Sequence, residues 1–202
     1  DAAGNTSTTV NDTVTLDQAG PTSPTITING SDPTNSSTVS LTLSASGASE
    51  MYLSGSVTGA GTNSWVAYGT SSSVSLTTGD GVKTVSVQYR DVAGNTSSTV
   101  NDTVTLDQTA PTSPTISIDG SDPTNAVSIG LTLSASGANQ MYISGDVTGA
   151  GTSSWVAYAT SSNVSLTIGD GLKTVSVQYR DVAGNTSTTA NDTVTLDQTA
   201  PT

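Results

Sequence analysis

The sequence predicts an all-β protein. It reads as two tandem β-sandwiches in a linear array, about seven strands each, with one extra N-terminal strand. Three observations carry this. Val, Ile and Leu alternate with Ser and Thr in short runs, the period of half-buried strands. Gly, Asp, Asn and Pro cluster between these runs, where tight turns need them. The chain also repeats at a period of 90. Asp91-Val92-Ala93-Gly94-Asn95-Thr96 recurs as Asp181-Val182-Ala183-Gly184-Asn185-Thr186 and nearly intact as Asp1-Ala2-Ala3-Gly4-Asn5-Thr6. Between 1–90 and 91–180 only 20 positions differ, so both periods encode the same folding unit.

The phase of the repeat follows from proline. Pro21, Pro111 and Pro201 each follow a strand that ends in Leu-Asp-Gln, and proline stiffens a short connection. The boundaries therefore fall there. Residues 21–110 form repeat one, 111–200 form repeat two, and 201–202 begin the next linker. Residues 1–20 are the tail of a preceding repeat, an orphan last strand.

Within repeat one, strands are read at Thr25–Asn29, Thr38–Ser44, Met51–Ser54, Trp65–Tyr68, Val74–Thr77, Lys83–Arg90 and Thr103–Asp107. Val39, Leu41 and Leu43 point inward from the second. Val85, Val87 and Tyr89 share a face of the sixth, and Val104 and Leu106 one of the seventh. The turns between them are Gly30-Ser31-Asp32-Pro33, Gly59-Ala60-Gly61, Gly79-Asp80-Gly81 and Ala93-Gly94-Asn95. Seven short alternating strands in about 90 residues suit a sandwich of immunoglobulin type. No segment has a helical period.

Composition narrows the function. Ser and Thr make 71 of 202 residues. They occupy the outward positions of the alternating strands and do not mark a disordered tract. Cys and His are absent, so there is no disulfide framework, no thiol nucleophile and no imidazole base for a serine. The reading is that of a protein that is not an enzyme. Four basic residues, Lys83, Arg90, Lys173 and Arg180, stand against sixteen acidic ones, a net charge of −12 that offers no footprint for nucleic acid. No apolar run nears the roughly 18 residues of a membrane span, so no membrane insertion is predicted. No signal peptide opens the chain, which reads as beginning inside a longer polypeptide.

An ordered set of segments adds a resemblance. Met51-Tyr52-Leu53-Ser54 leads to Trp65-Val66-Ala67-Tyr68, then to Gly79-Asp80-Gly81-Val82-Lys83-Thr84-Val85 and Tyr89-Arg90-Asp91-Val92-Ala93-Gly94-Asn95. The set closes with Asp102-Thr103-Val104-Thr105-Leu106-Asp107-Gln108-Thr109-Ala110-Pro111. This resembles the bacterial Ig-like (fibronectin III-like) tandem repeats of large secreted and cell-surface proteins. The resemblance implies an extracellular location and a structural role. The chain would act as an extender, a mechanical spacer in an adhesin or surface filament whose partners are neighbouring identical repeats.

The candidate site residues are acidic. In a sandwich of this strand order, Asp32, Asp80 and Asp107 lie at the end of repeat one that faces Asp181 and Asn185 of repeat two. Clustered oxygen ligands suit Ca²⁺, which takes about 6–8 of them, and the one cofactor this arrangement suggests is a calcium ion at the domain junction. The competing reading is that these residues form turns, their side chains capping local backbone. Trp65, Tyr68, Tyr52 and Tyr89 could form a sugar-stacking platform for a carbohydrate- or protein-binding module. The alternative is that Trp65 packs between the sheets and Tyr89 closes its strand. Lys83 and Lys173 read as snorkelling surface lysines, since the carboxyl an isopeptide needs is lost where Glu50 becomes Gln140. Differences between the repeats cluster at Ser36–Ser40. Finally, the strand in 1–20 must either complete a preceding repeat or pair with another copy by strand exchange, which would make the chain the subunit of a self-assembling filament.

Overall fold

Strict alternation of apolar and polar residues gives each segment two unlike faces, and burial follows it. The structure is a computed structural model that describes residues 1–149 and 151–201. Among the described residues each repeat has eight strands. The first eight are β1 Thr22–Asn29, β2 Thr38–Ser46, β3 Glu50–Gly55, β4 Val57–Thr58, β5 Trp65–Ala67, β6 Ser71–Leu76, β7 Gly81–Arg90 and β8 Val100–Leu106. The second eight are β9 Thr112–Ile118, β10 Ser128–Ser136, β11 Gln140–Gly145, β12 Val147–Thr148, β13 Trp155–Ala157, β14 Ser161–Leu166, β15 Gly171–Arg180 and β16 Ala190–Leu196. They form four sheets, β1-β2-β6-β4 with β5-β3-β7-β8 and β9-β10-β14-β12 with β13-β11-β15-β16. There is no helix among the described residues, so none is long and apolar enough to cross a membrane.

In β2, Val39, Leu41, Leu43 and Ala45 are buried while the Ser and Thr between them are exposed. The second sandwich draws one core from both of its sheets, with Leu131, Leu133, Val164 and Leu166 from one and Met141, Ile143, Val175, Val177 and Tyr179 from the other. Each fully buried aliphatic side chain contributes on the order of 1.5–3 kcal/mol. Strand β4 was not legible in the sequence. It has two residues, and only Val57 faces inward. Gly55, at φ 101°, passes so close to the Thr84 carbonyl oxygen that a Cβ would collide with it.

By their contacts the residues fall into two compact units, 1–28 with 40–74 and 84–102, and 29–39 with 75–83 and 103–202. In the first, the Asp102 carboxylate accepts the Ile28 amide of β1 at 2.8 Å. Asp192 does the same for Ile118 in the second. A side chain thus joins the edge strands of facing sheets and covers an edge that would otherwise invite pairing. Further along β8, the Thr34 amide donates to the Thr105 carbonyl and the Asp107 amide to the Thr34 carbonyl.

The extra N-terminal strand is not formed. Residues 1–21 carry no strand, and Val10, Val14 and Leu16 are exposed. The run Val10–Leu16 has the same sequence as β8, where Val104 and Leu106 are buried. A strand exists only by pairing, and among the described residues no strand pairs with this run.

Candidate functional site

The Asp-Val-Ala-Gly-Asn turn is built by its own aspartate. Asp181 accepts the amides of Gly184 and Asn185 through Oδ1 at 2.7 and 2.9 Å, and the Asn185 side-chain amide through Oδ2 at 2.8 Å. Asp91 holds Asn95 in the same way. Asp1 holds Asn5 likewise, with no strand beside it, so the turn is a local product of these residue types. The Asn95 hydrogen bonds keep the Asp91 carboxyl below its ordinary range.

Asn95 and Asn185 each have a second task. Asn185 Nδ2 donates to the Asp107 carbonyl oxygen at 2.8 Å, both residues lying in the second unit. Asn95 Nδ2 donates to the Asp17 carbonyl oxygen at 3.1 Å, both lying in the first. Asp17 and Asp107 are equivalent residues that follow Leu16 and Leu106, so the same tie recurs at the period of the sequence.

The predicted calcium ligands are largely spent on backbone. Asp32 Oδ1 accepts the Thr105 amide at 2.9 Å. Asp80 accepts the Gln108 amide at 2.8 Å and the Thr109 hydroxyl at 2.5 Å. These bonds, the hydroxyl first, hold its carboxyl below the usual range, and Asp170 has the same arrangement with Thr199 and Gln198. Asp107 Oδ1 caps the Thr109 amide at 3.1 Å. Asp107 and Asp181 share a cleft of about 270 Å³ with Thr109, Pro111, Thr112 and Gly137; Asp32 and Asp80 do not line it. Among the described residues no three carboxylates gather around one point. The geometry fits aspartates that cap turns.

The four aromatic candidates divide into two pairs. Tyr89 is fully buried and donates to the Thr25 carbonyl at 2.7 Å; burial, then neighbouring Tyr68, pushes its phenol up to about 12. Tyr68 meets Tyr89 edge-on at 5.7 Å. Trp65 is not between the sheets as expected, and neither is Trp155. Both are half-buried on an outer face. The reason is register. Met51 and Leu53 turn inward from β3, so Tyr52 turns outward, and Tyr52 pairs directly with Trp65. Their rings lie 5.5 Å apart, and the Arg90 guanidinium sits 4.5 Å over the indole. Arg90 Nε donates to Glu50, its partner across β3 and β7. Tyr142, Trp155, Arg180 and Gln140 reproduce the arrangement in the second sandwich. Tyr52 between two inward residues was the available signal for this face.

Lys83 is also more buried than a surface lysine. It occupies the inward position ahead of Val85, Val87 and Tyr89, is 8% exposed, and its ammonium donates to the Thr78 carbonyl at 3.2 Å. The stem extends the core and the head reaches the turn.

No family model matches the chain, and no curated protein matches it. Among solved structures it is similar to fibronectin(III)-like modules of Clostridium thermocellum CbhA, at 12% identity over 85% of this chain and 94% of that one, with a TM-score of 0.49. It is also similar to the D00-D0 domain of intimin, at 19% identity over 86% and 100% of the two chains, TM-score 0.32. A third is the BSP domain of a biofilm associated protein, at 18% identity over 87% and 30%, TM-score 0.29. The all-β sandwich assignment rests on the chain's own four sheets.

Proposed function

We propose that the chain is a run of extender repeats in a large extracellular adhesin or surface filament, where it acts as a mechanical spacer. The observation that carries this reading is the recurring tie from Asn95 to the Asp17 carbonyl and from Asn185 to the Asp107 carbonyl. A turn preset by one repeat grips the chain just past the Leu-Asp segment that ends the repeat before it. Such a contact restrains a connection without needing a metal. Its partners are neighbouring repeats of the same kind, and the resemblance to surface-protein repeats supports an extracellular location. Assembly by strand addition of residues 1–20 has less support, because Thr34 already pairs with β8 at Leu106 and the Asp102 carboxylate already takes the Ile28 amide of edge strand β1.

Stretching single molecules tests the reading. Two similar unfolding events are expected, each releasing roughly 300 Å of contour, from about 3.3–3.6 Å per residue over one period. Extension at forces no greater than those that straighten an unfolded chain would sink the spacer role. Asn185→Ala should leave both sandwiches folded and cost about 0.5–1.5 kcal/mol at the connection. Faster proteolysis between Asp107 and Pro111 is the readout, and wild-type cleavage rates would remove the tie from the argument. Melts in calcium and in EDTA should coincide; a raised midpoint in calcium would show a bound structural ion.

A further inference from the structure

The outer faces of the two sandwiches differ by one exchange that changes what they can bind. In the second, Arg180 lies 4.5 Å over Trp155, Trp155 lies 5.5 Å from Tyr142, and Arg180 Nε donates to the neutral amide oxygen of Gln140. Among the described residues, the terminal guanidinium nitrogens, the Trp155 indole N–H and the Tyr142 hydroxyl make no hydrogen bond within the chain. None of these is a buried orphan, since no buried side-chain nitrogen or oxygen lacks a partner. They are donors presented to solvent beside two aromatic rings. In the first sandwich the same guanidinium is ion-paired with Glu50, and both side chains are about one-third exposed, 33% and 36%.

We infer that the outer face of the second sandwich binds a carboxylate-bearing saccharide and that the corresponding face of the first does not. A guanidinium presents parallel N–H donors that match a carboxylate bidentately. Stacking on Trp155 and the bond to Gln140 hold the Arg180 plane, so little freedom remains to be lost on binding. Tyr142 and Trp155 supply an apolar surface for the C–H side of a sugar ring, with a hydroxyl and an N–H for its oxygens. Among the described residues no carboxylate pairs with Arg180, whereas a ligand carboxylate approaching Arg90 meets Glu50 and is repelled.

The test is a titration of the full chain with trigalacturonate, and with galactotriose as the neutral control, following the two indole N–H resonances. Trp155 should shift with trigalacturonate and Trp65 should not. Gln140→Glu places in the second sandwich the residue that the first already accommodates, and it should weaken binding at least ten-fold. Glu50→Gln should make the Trp65 resonance respond as well. Equal binding of galactotriose, undiminished binding by Gln140→Glu, or no Trp155 shift at millimolar trigalacturonate would each overturn the inference.

Discussion

The two sandwiches hold an arginine over a tryptophan in the same way with different electrostatics. Arg90 is paired with a carboxylate, Arg180 with a neutral amide, yet each guanidinium sits 4.5 Å from its indole. Charge therefore does not set this geometry. Strand register does, because Glu50 faces Arg90 and Gln140 faces Arg180 as direct cross-strand partners. The aromatic stack is common to both sandwiches, and the charge is an addition to one of them.

The largest expected effect tests the shared part. Trp65→Ala and Trp155→Ala should each cost about 2 kcal/mol, roughly half the loss for a fully buried aromatic, and the two losses should agree closely in chemical denaturation. A much larger loss for Trp65 would show that the ion pair does organise the first site. Next, Arg90→Ala and Arg180→Ala should each remove about 0.5–1 kcal/mol of stacking, with the same comparison applied. The smallest effect is that of charge. Glu50→Gln should leave the pH 7 midpoint nearly unchanged, as exposed pairs contribute little.

Acid separates the two sites. Arg90 lowers the Glu50 pKa below its ordinary 4.5, chiefly by hydrogen bonding. A carboxylate with a depressed folded pKa stabilises the fold above its unfolded pKa and loses that contribution as pH falls through the folded value. Any advantage of wild type over Glu50→Gln should therefore be present near pH 7 and be lost in acid, as pH falls from the ordinary 4.5 through the lowered folded value. An advantage that persists into acid would not come from this carboxylate.

Much of the fold was legible because it is written in near neighbours. Inward Val39, Leu41 and Leu43, the buried run Val85-Val87-Tyr89 and the glycine turns all follow from residues two to four apart. Three features were not. β4 is too short for a period, the run Val10–Leu16 has strand sequence but no partner, and Trp65 takes its face from Tyr52 across the sheet. Part of the divergence near Ser36–Ser40 now has a cause. Gly130 replaces Ser40 where Asp119 replaces Asn29, and the Asp119 carboxylate lies 2.7 Å from where a Cβ on residue 130 would stand. That carboxylate also accepts the Thr132 hydroxyl at 2.9 Å. Nothing in the structure explains the exchanges at 36 to 38.

The candidate aspartates show the same division. Their turn-forming role could be read directly, since an aspartate followed by Gly and Asn caps its own loop even at residues 1–5. The proposed gathering of Asp32, Asp80, Asp107, Asp181 and Asn185 needed distances. Asp107 and Asp181 share a cleft that Asp32 and Asp80 do not line, and Asn185 reaches a backbone carbonyl 78 residues away. By itself the sequence determined the alternating strands, the repeat and the capped turn, because each depends on contacts within a few residues. Only the tertiary structure decided which face the tryptophans take and which carbonyl each asparagine finds. Those depend on register between distant segments, which local periodicity does not encode.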